Sequence, residues 1–322
     1  MPVFPQMGVE VVTEVLLACY NGEKYLPPLL ASLSAQGEKD FRVLMQDDGS
    51  RDGTLALLKS QAEADSRFLL TADASPARLR GAIGNFWSLL GQSRGDYTAL
   101  CDQDDVWHAD RLQAGLAAMG EAEARWGRET PLLVHSDARV VDASGRVLHE
   151  SFFAHQGWDF RAVELPRLLV QNNVTGCTVL MNRPLRELAL RCGAPAKMYM
   201  HDWFLALTAA AFGHVVCLPR PLVDYRQHGN NEMGASAAGL AERGVRALSA
   251  RERGKARIAL TYRHTRDFAA AYGALLPPAA REIIDRYLAL EHRPKPARVW
   301  GMLRGGYRMQ SPVTRAGQIF FC

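Results

Sequence analysis

Residues 97–105, Tyr-Thr-Ala-Leu-Cys-Asp-Gln-Asp-Asp, run as an apolar strand and then end in three carboxylates within four positions. Asp102, Asp104 and Asp105 repel one another, so a fold that gathers them at a strand end needs positive charge there, and a hard divalent cation supplies it. Taken alone, the triplet reads better as a solvated acidic turn. That reading weakens because a second apolar run, residues 41–45, also ends in acid at Asp47-Asp48, and Asp202 stands downstream in Met-His-Asp-Trp.

Strand-like runs alternate with helical patterns from the start, which favours βαβ units and a largely parallel sheet, an α/β fold. Strands are expected over residues 11–19, 41–45, 68–71, 97–101 and 132–142, with helices over 26–33, 55–64, 84–90 and 111–125. After Asp142 the order loosens into an aromatic-rich loop, a helix near 165–171, a strand at 178–181 and a helix beginning at Asp202. Ligands of open parallel sheets lie beyond the carboxyl ends of the strands. Tyr20-Asn21, Asp47-Asp48 and Asp102–Asp105 each follow such a strand, so all three are expected at one crevice.

With 322 residues, 48% of them apolar, the chain can bury a substantial core. The formal charge of +4 is unevenly spread: residues 1–238 carry 22 Lys and Arg against 28 Asp and Glu, while residues 291–322 carry 6 against 1. An acidic body suits a cation, and a basic tail suits an anionic surface. The six cysteines show no paired spacing and have mostly apolar neighbours, as expected of buried reduced thiols in a cytoplasmic protein. The N-terminus lacks a basic region before an apolar stretch, and no apolar run reaches the roughly 20 residues of a membrane-spanning helix, so a soluble or peripheral protein is expected. The sequence holds no G-x-x-x-x-G-K-[ST], no G-x-G-x-x-G after the first strand, no G-x-S-x-G and no H-E-x-x-H. P-loop, dinucleotide-binding, serine-hydrolase and zincin chemistries are thereby disfavoured.

Five ordered segments carry a resemblance: Leu-Leu-Ala-Cys-Tyr-Asn-Gly-Glu-Lys-Tyr-Leu (16–26), Gln-Asp-Asp-Gly-Ser-Arg-Asp-Gly-Thr (46–54), Cys-Asp-Gln-Asp-Asp-Val-Trp (101–107), His-Asp-Trp (201–203) and Tyr-Arg-Gln-His-Gly-Asn-Asn (225–231). Together they resemble family 2 glycosyltransferases of the GT-A fold, and the third and fifth look most like the bacterial rhamnosyltransferase branch. The resemblance implies a glycosyltransferase domain over residues 1–235, with a nucleotide-sugar half at about 10–130 and an acceptor half at about 131–235. A basic helical extension follows over 236–322.

The same resemblance implies roles residue by residue. Asp48 contacts the nucleotide base, the backbone from Ala18 to Tyr20 lines its pocket, and Asp102 touches the ribose. Asp104, assisted by Asp105 and His228, holds Mg²⁺ or Mn²⁺ against the diphosphate, with Arg226 and Asn85 near the donor. Asp202 is the general base and Gly176 and Trp203 belong to the acceptor side. Plainer readings stand beside these. Asp47 and Asp52 suit turns, Asp202 suits a helix N-cap, His228 and Asn85 suit ordinary structural places, and Phe152, Phe153 and Trp158 suit core packing.

The function implied is inverting, metal-dependent transfer of a sugar, L-rhamnose from dTDP-rhamnose first, to a glycan or glycolipid acceptor of the cell envelope. UDP-glucose, UDP-galactose or another UDP-hexose is the alternative donor, and a non-catalytic sugar-nucleotide-binding subunit is the alternative class. In the tail, Trp300, Leu303 and Tyr307 fall on one helical face beside Arg304 and Arg308, after a hinge at Pro294 and Pro296. Such a stretch reads as peripheral contact with an anionic membrane at its inner, cytoplasmic face, and no nucleic-acid motif accompanies it.

Overall fold

Strand β1 (Thr13–Cys19) is buried along its whole length and lies parallel to both β2 (Phe41–Asp47) and β4 (Tyr97–Asp102). A parallel strand covered on both faces takes apolar side chains at successive positions, which explains the unbroken run from Val15 to Cys19. The structure is a computed structural model that describes residues 12–71, 81–192, 199–228 and 250–322. Val11, residues 229–231 of the fifth motif and the 235–249 part of the basic helices lie outside the described residues.

β3 (Phe68–Leu70) extends the parallel group on the far side of β2. Beyond β4 the sheet becomes mixed, with β8 (Leu180–Asn182), β6 (Leu132–Val141), β9 (His214–Arg226) and the edge strand β5 (Val106–Trp107) in that order, while β7 (Val147–His149) pairs with β6. β8 runs antiparallel to both β4 and β6, and β9 runs parallel to β6. One sheet therefore continues through residue 130, where the sequence suggested a division between halves.

Alternate residues of the central strands feed two apolar layers. Leu16, Leu44 and Leu100 enter the layer built with α3 (Ala82–Gln92), α7 (Arg183–Arg191) and α8 (His201–Phe212). Val15, Leu17, Val43, Met45 and Cys101 enter the other layer, against α1 (Leu26–Ser34), α2 (Thr54–Ala64) and α4 (Arg111–Trp126). The expected face Leu26, Leu29, Leu30 and Leu33 is the buried face of α1.

The connection from β4 to β5 dictates the shape of this sheet. In the strand order β5 stands four places from β4, yet only residues 103–105 join them in sequence. Four strand spacings across a flat sheet span about 19 Å, whereas the four Cα steps from Asp102 to Val106 reach at most about 14 Å. The sheet must curl until its β9–β5 edge returns to β4. Val106 then pairs with Asp224 of β9, and the acidic residues between β4 and β5 bridge the mouth of the curl.

The described residues from 250 onward form four α-helices, α9 (Ala250–Tyr272), α10 (Pro278–Ala289), α11 (Lys295–Arg304) and α12 (Pro312–Phe321). They close over the layer that holds α8. Tyr272 stacks on Phe204 at 5.7 Å and shares a 2.8 Å hydrogen bond with Thr208. Tyr262 stacks on Tyr287 at 4.7 Å. Two expectations for this region are corrected. Pro294 and Pro296 occupy the N-cap and first turn of α11 and so start a helix, where proline's fixed φ and missing N–H are tolerated. Tyr307 lies past the end of α11, after Gly306 at φ 76°, and is buried with its hydroxyl donating to the Ile283 carbonyl at 2.7 Å. It therefore does not share an exposed face with Trp300 and Leu303.

Gly213 joins α8 to β9, and a methyl group there would overlap the carbonyl oxygen of Pro131. Gly213→Ala is expected to destabilise the fold by about 3 kcal/mol through overpacking against backbone. Thermal unfolding checks this, and an unchanged melting temperature would show that the Pro131 backbone yields freely.

Candidate active site

The curl brings His228, just beyond β9, to the acidic segment, with its Nε2 2.8 Å from Asp104 Oδ2. Its ring stacks on Tyr25 at 4.5 Å, which fixes the imidazole plane. Asp105 is fully buried and accepts a 3.0 Å hydrogen bond from the Arg226 backbone N–H. Burial, then the charge of Asp104, push the Asp105 carboxyl well above the ordinary range. The Arg226 guanidinium is only 5% exposed and donates to the carbonyls of Asp104, Asp142 and Ala143. It was expected to face the diphosphate, and it instead clamps the acidic segment by its main chain. Arg111, at the start of α4, was not anticipated. It is buried beneath the same segment, donates to the Cys177 carbonyl at 2.6 Å and lies over the Trp107 ring at 3.6 Å. Burial lowers its pKa to about 10, so it keeps its charge at neutral pH.

The metal-ligand set read from the sequence is divided. Asp104 pairs with His228, while Asp105 groups with Asp102 and the thiol of Cys177, their ligand atoms lying within 4.8 Å of one another. The first set offers a carboxylate with a nitrogen donor and the second two carboxylates with a sulfur donor, and carboxylate with imidazole fits a divalent cation.

The strand ends beside this segment are tied together. In the sheet register Ala18 stands between Gln46 and Asp102. Gln103, within the third motif but given no role by the sequence, pairs its side-chain amide with the backbone of Tyr20 in both directions, each bond 2.8 Å. The turn after β1 locks onto the turn after β2: Asn21 N–H donates to Ser50 Oγ and Arg51 N–H donates to Asn21 Oδ1, both at 2.8 Å. Asn21 takes φ 48°, a left-handed conformation that asparagine tolerates. Asp47 and Asp52 serve turns, accepting from Ser50 N–H and Thr54 N–H. Asp48 is half-buried and accepts from Gly81 N–H at 2.8 Å. Asn85, expected near the donor, is buried and spans the ends of β1 and β2, donating to the Cys19 and Gln46 carbonyls at 3.3 Å.

Asp202 lies in the first turn of α8, whose N-cap is Met200, so Asp202 is not the cap itself. Its Oδ1 accepts from Trp203 N–H at 2.5 Å, and the helix N-terminus favours its negative charge. Burial nonetheless prevails and pushes its carboxyl up to about 7. Gly176 is packed against it: a Cβ there would stand 3.1 Å from His201 Nε2 and 3.8 Å from Asp202 Oδ2. His201, also unanticipated, is buried on the Phe86 ring at 4.5 Å and held neutral, its pKa lowered by burial to about 4. Trp203 was expected on the acceptor side, but it is 6% exposed and its Nε1 donates to the Leu168 carbonyl at 2.6 Å, so it serves the core. The aromatics Phe152, Phe153 and Trp158 pack on one another, as their structural reading expected.

Residues 14–126 match the family model described as Glycosyl transferase family 2. The dTDP-rhamnosyl transferase RfbG of Shigella flexneri is 25% identical over 232 residues, covering 68% of this chain and 74% of that protein. Among solved structures, S. aureus TarS 1-349 in complex with UDP-GlcNAc superposes with a TM-score of 0.53 at 19% identity, over 87% of this chain and 72% of that one. The mannosyltransferase PcManGT from Pyrobaculum calidifontis, in complex with GDP-Man and Mn²⁺, gives 0.52 at 18% identity, over 96% and 87%. These likenesses establish the GT-A glycosyltransferase fold.

A carboxyl that binds its proton more tightly when folded loses stability as pH rises. Between an unfolded value near 4 and the folded value of about 7, the folded chain holds a proton that the unfolded chain releases. Asp202→Asn is therefore expected to raise the melting temperature at pH 8, with an upper bound of about 4 kcal/mol at about 1.4 kcal/mol per pH unit. The gain should vanish near pH 4. Equal melting temperatures at pH 8 would contradict the burial of a charge at this position.

Proposed function

We propose, from the premise that this chain carries a family 2 glycosyltransferase domain and works as a nucleotide-sugar transferase, that it moves L-rhamnose from dTDP-rhamnose onto a cell-envelope glycan with inversion at the anomeric carbon. The observation that carries the catalytic part is Asp202, a buried carboxylate with an elevated pKa, packed against Gly176, where a side chain would crowd it. Support for rhamnose comes from the Cys-Asp-Gln-Asp-Asp-Val-Trp and Gln-His-Gly-Asn segments together with the resemblance to RfbG. LPS core, O-antigen or another surface polysaccharide is the acceptor class in this reading.

The nucleoside lies over the strand ends, with Asp48 at the base, the Ala18–Tyr20 backbone beside it and Asp102 at the ribose. Asp104 and His228 would hold Mg²⁺ or Mn²⁺, a Lewis acid that offsets charge on the diphosphate as it leaves. Asp105 and Arg226 keep that segment in place. Asp202 takes the proton from the acceptor hydroxyl as its oxygen bonds to the anomeric carbon, and the bond from that carbon to the phosphate oxygen breaks on the opposite face. The nucleoside diphosphate departs with the bonding electrons, so no covalent enzyme intermediate forms. A base with a pKa of about 7 is matched to this task at neutral pH, being ionised in an appreciable fraction yet still basic.

Asp202→Asn is expected to keep donor binding and to lose transfer by about a thousandfold. The wild-type turnover should fall as pH drops through about 7, because protonation removes the base. Near-native turnover in the variant, or a flat profile between pH 6 and 8, would sink the assignment. Chelation should abolish activity, Mg²⁺ or Mn²⁺ should restore it, and Asp104→Asn should resist restoration. The donor is tested by release of nucleoside diphosphate from a panel of dTDP-rhamnose, UDP-glucose and UDP-galactose. Preference for a UDP-hexose would replace rhamnose while leaving the roles of Asp104 and Asp202 intact.

A further inference from the structure

Helices α11 and α12 carry an unusual share of the exposed apolar side chains. Trp300 is 65% exposed, Val313 81% and Phe320 67%, with Leu303 and Ile319 also exposed. Pro296, Val299, Trp300 and Leu303 recur at helical spacing along one face of α11. On α12, Val313, Ala316 and Phe320 do the same. Between the two helices lies a shallow, open and almost wholly apolar groove of about 670 Å³, lined by Lys295, Pro296, Val299, Ala316, Ile319 and Phe320. Lys295 closes one end, its ammonium donating to the Phe320 carbonyl at 2.6 Å and lying over that residue's ring. The opposite sides of α11 and α12 are fixed to the protein by buried Met302, Gln318 and Cys322, so the apolar face cannot turn inward.

Charge on the segment that carries α11 and α12 is almost wholly of one sign. Arg293, Lys295, Arg304 and Arg308 are all exposed, and none of them pairs with a carboxylate among the described residues. Glu291 is the only acid in residues 291–322, and Arg266 engages it. Apolar residues led by a tryptophan, rimmed by cations, match a bilayer interface in which rings enter the headgroup region and guanidinium groups meet phosphate. A second copy of the chain fits this surface poorly, since a two-fold contact would set these cations against themselves. A nucleic acid would answer the charge and leave the apolar face bare.

We propose that the outer face of α11 and α12 docks onto the surface of a membrane containing anionic phospholipid. The docking residues are Trp300, Leu303, Val313, Ile319 and Phe320, and the electrostatic partners are Arg293, Lys295, Arg304 and Arg308. This surface lies outside the proposed catalytic residues, and its test needs no nucleotide sugar, so it can fail independently of the glycosyltransferase reading.

The full chain is sedimented with vesicles of phosphatidylcholine alone and with vesicles of phosphatidylcholine and phosphatidylglycerol in equal parts. Binding is expected to the second only, and to weaken with added salt. Arg304→Gln with Arg308→Gln should lower the partition coefficient about 30-fold, at about fivefold per cation. Trp300→Ser with Phe320→Ser should lower it by about tenfold or more. Both pairs are exposed, and unchanged thermal unfolding verifies that each variant is folded. A wild-type chain left in the supernatant with anionic vesicles overturns the proposal, as does undiminished binding of either variant. A wild-type dimer that becomes monomeric in Trp300→Ser with Phe320→Ser would identify the face as a subunit interface and also overturn it.

Discussion

Crowding of carboxylates at the end of β4 is the constraint from which the rest of this structure follows. Asp102, Asp104 and Asp105 lie within four residues, and like charges at such range disfavour ionisation together. The fold answers with two buried arginines and a histidine ring. Arg226 comes from the last strand and Arg111 from the helix just after the acids, while the His228 ring, from the segment beyond β9, hydrogen-bonds Asp104. The two arginines are buried and spend hydrogen bonds on backbone carbonyls, which gives them rigid positions. Fixed buried cations beside acids set a local field that a mobile surface lysine could not.

The remote C-terminal helices bear on the protonation of Asp202 through burial. Trp203 and Phe204, its neighbours on α8, are covered by α9, with His264 4.4 Å from the Trp203 ring and Phe268 5.7 Å from the Phe204 ring. This cover excludes water from the helix start and so contributes to the desolvation that raises the Asp202 pKa. Gln310 reinforces the junction, accepting from Asp159 N–H and donating its own backbone N–H to Gln171 Oε1. What composition suggests is an appendage is in physical terms part of the wall behind the carboxylate.

Strands β1, β2 and β4 and helices α1 and α4 were legible because buried parallel strands and amphipathic helices write their periods directly into the sequence. β9 was not legible over its 13 residues, since Pro219 and Pro221 interrupt it. It survives as a strand because its register with β6 shifts between Ser136 and Asp137, where those prolines lie. β5 is two residues long, too short for any period. α7 did leave a signal, Asn182 followed by Pro184, and Asn182 indeed caps it by accepting from Leu185 N–H. Within the site, the acids were legible by type and position. The duties of Gln103, Arg111 and His201 were not, because each arises from contacts with residues 25 or more positions away that only folding creates.

The short bridge between β4 and β5 has a further consequence. A chain of three residues that must cross the mouth of a curled sheet has almost no slack, and its members are held by Tyr20 on one side and Arg226 on the other. Most of the conformational freedom of Asp102, Asp104 and Asp105 is thus surrendered when the protein folds, before any ligand arrives. A cation or a charged ligand meeting these groups finds them preorganised, and the entropy of arranging them does not weaken its affinity. The same tautness leaves this segment little capacity to absorb an inserted or deleted residue.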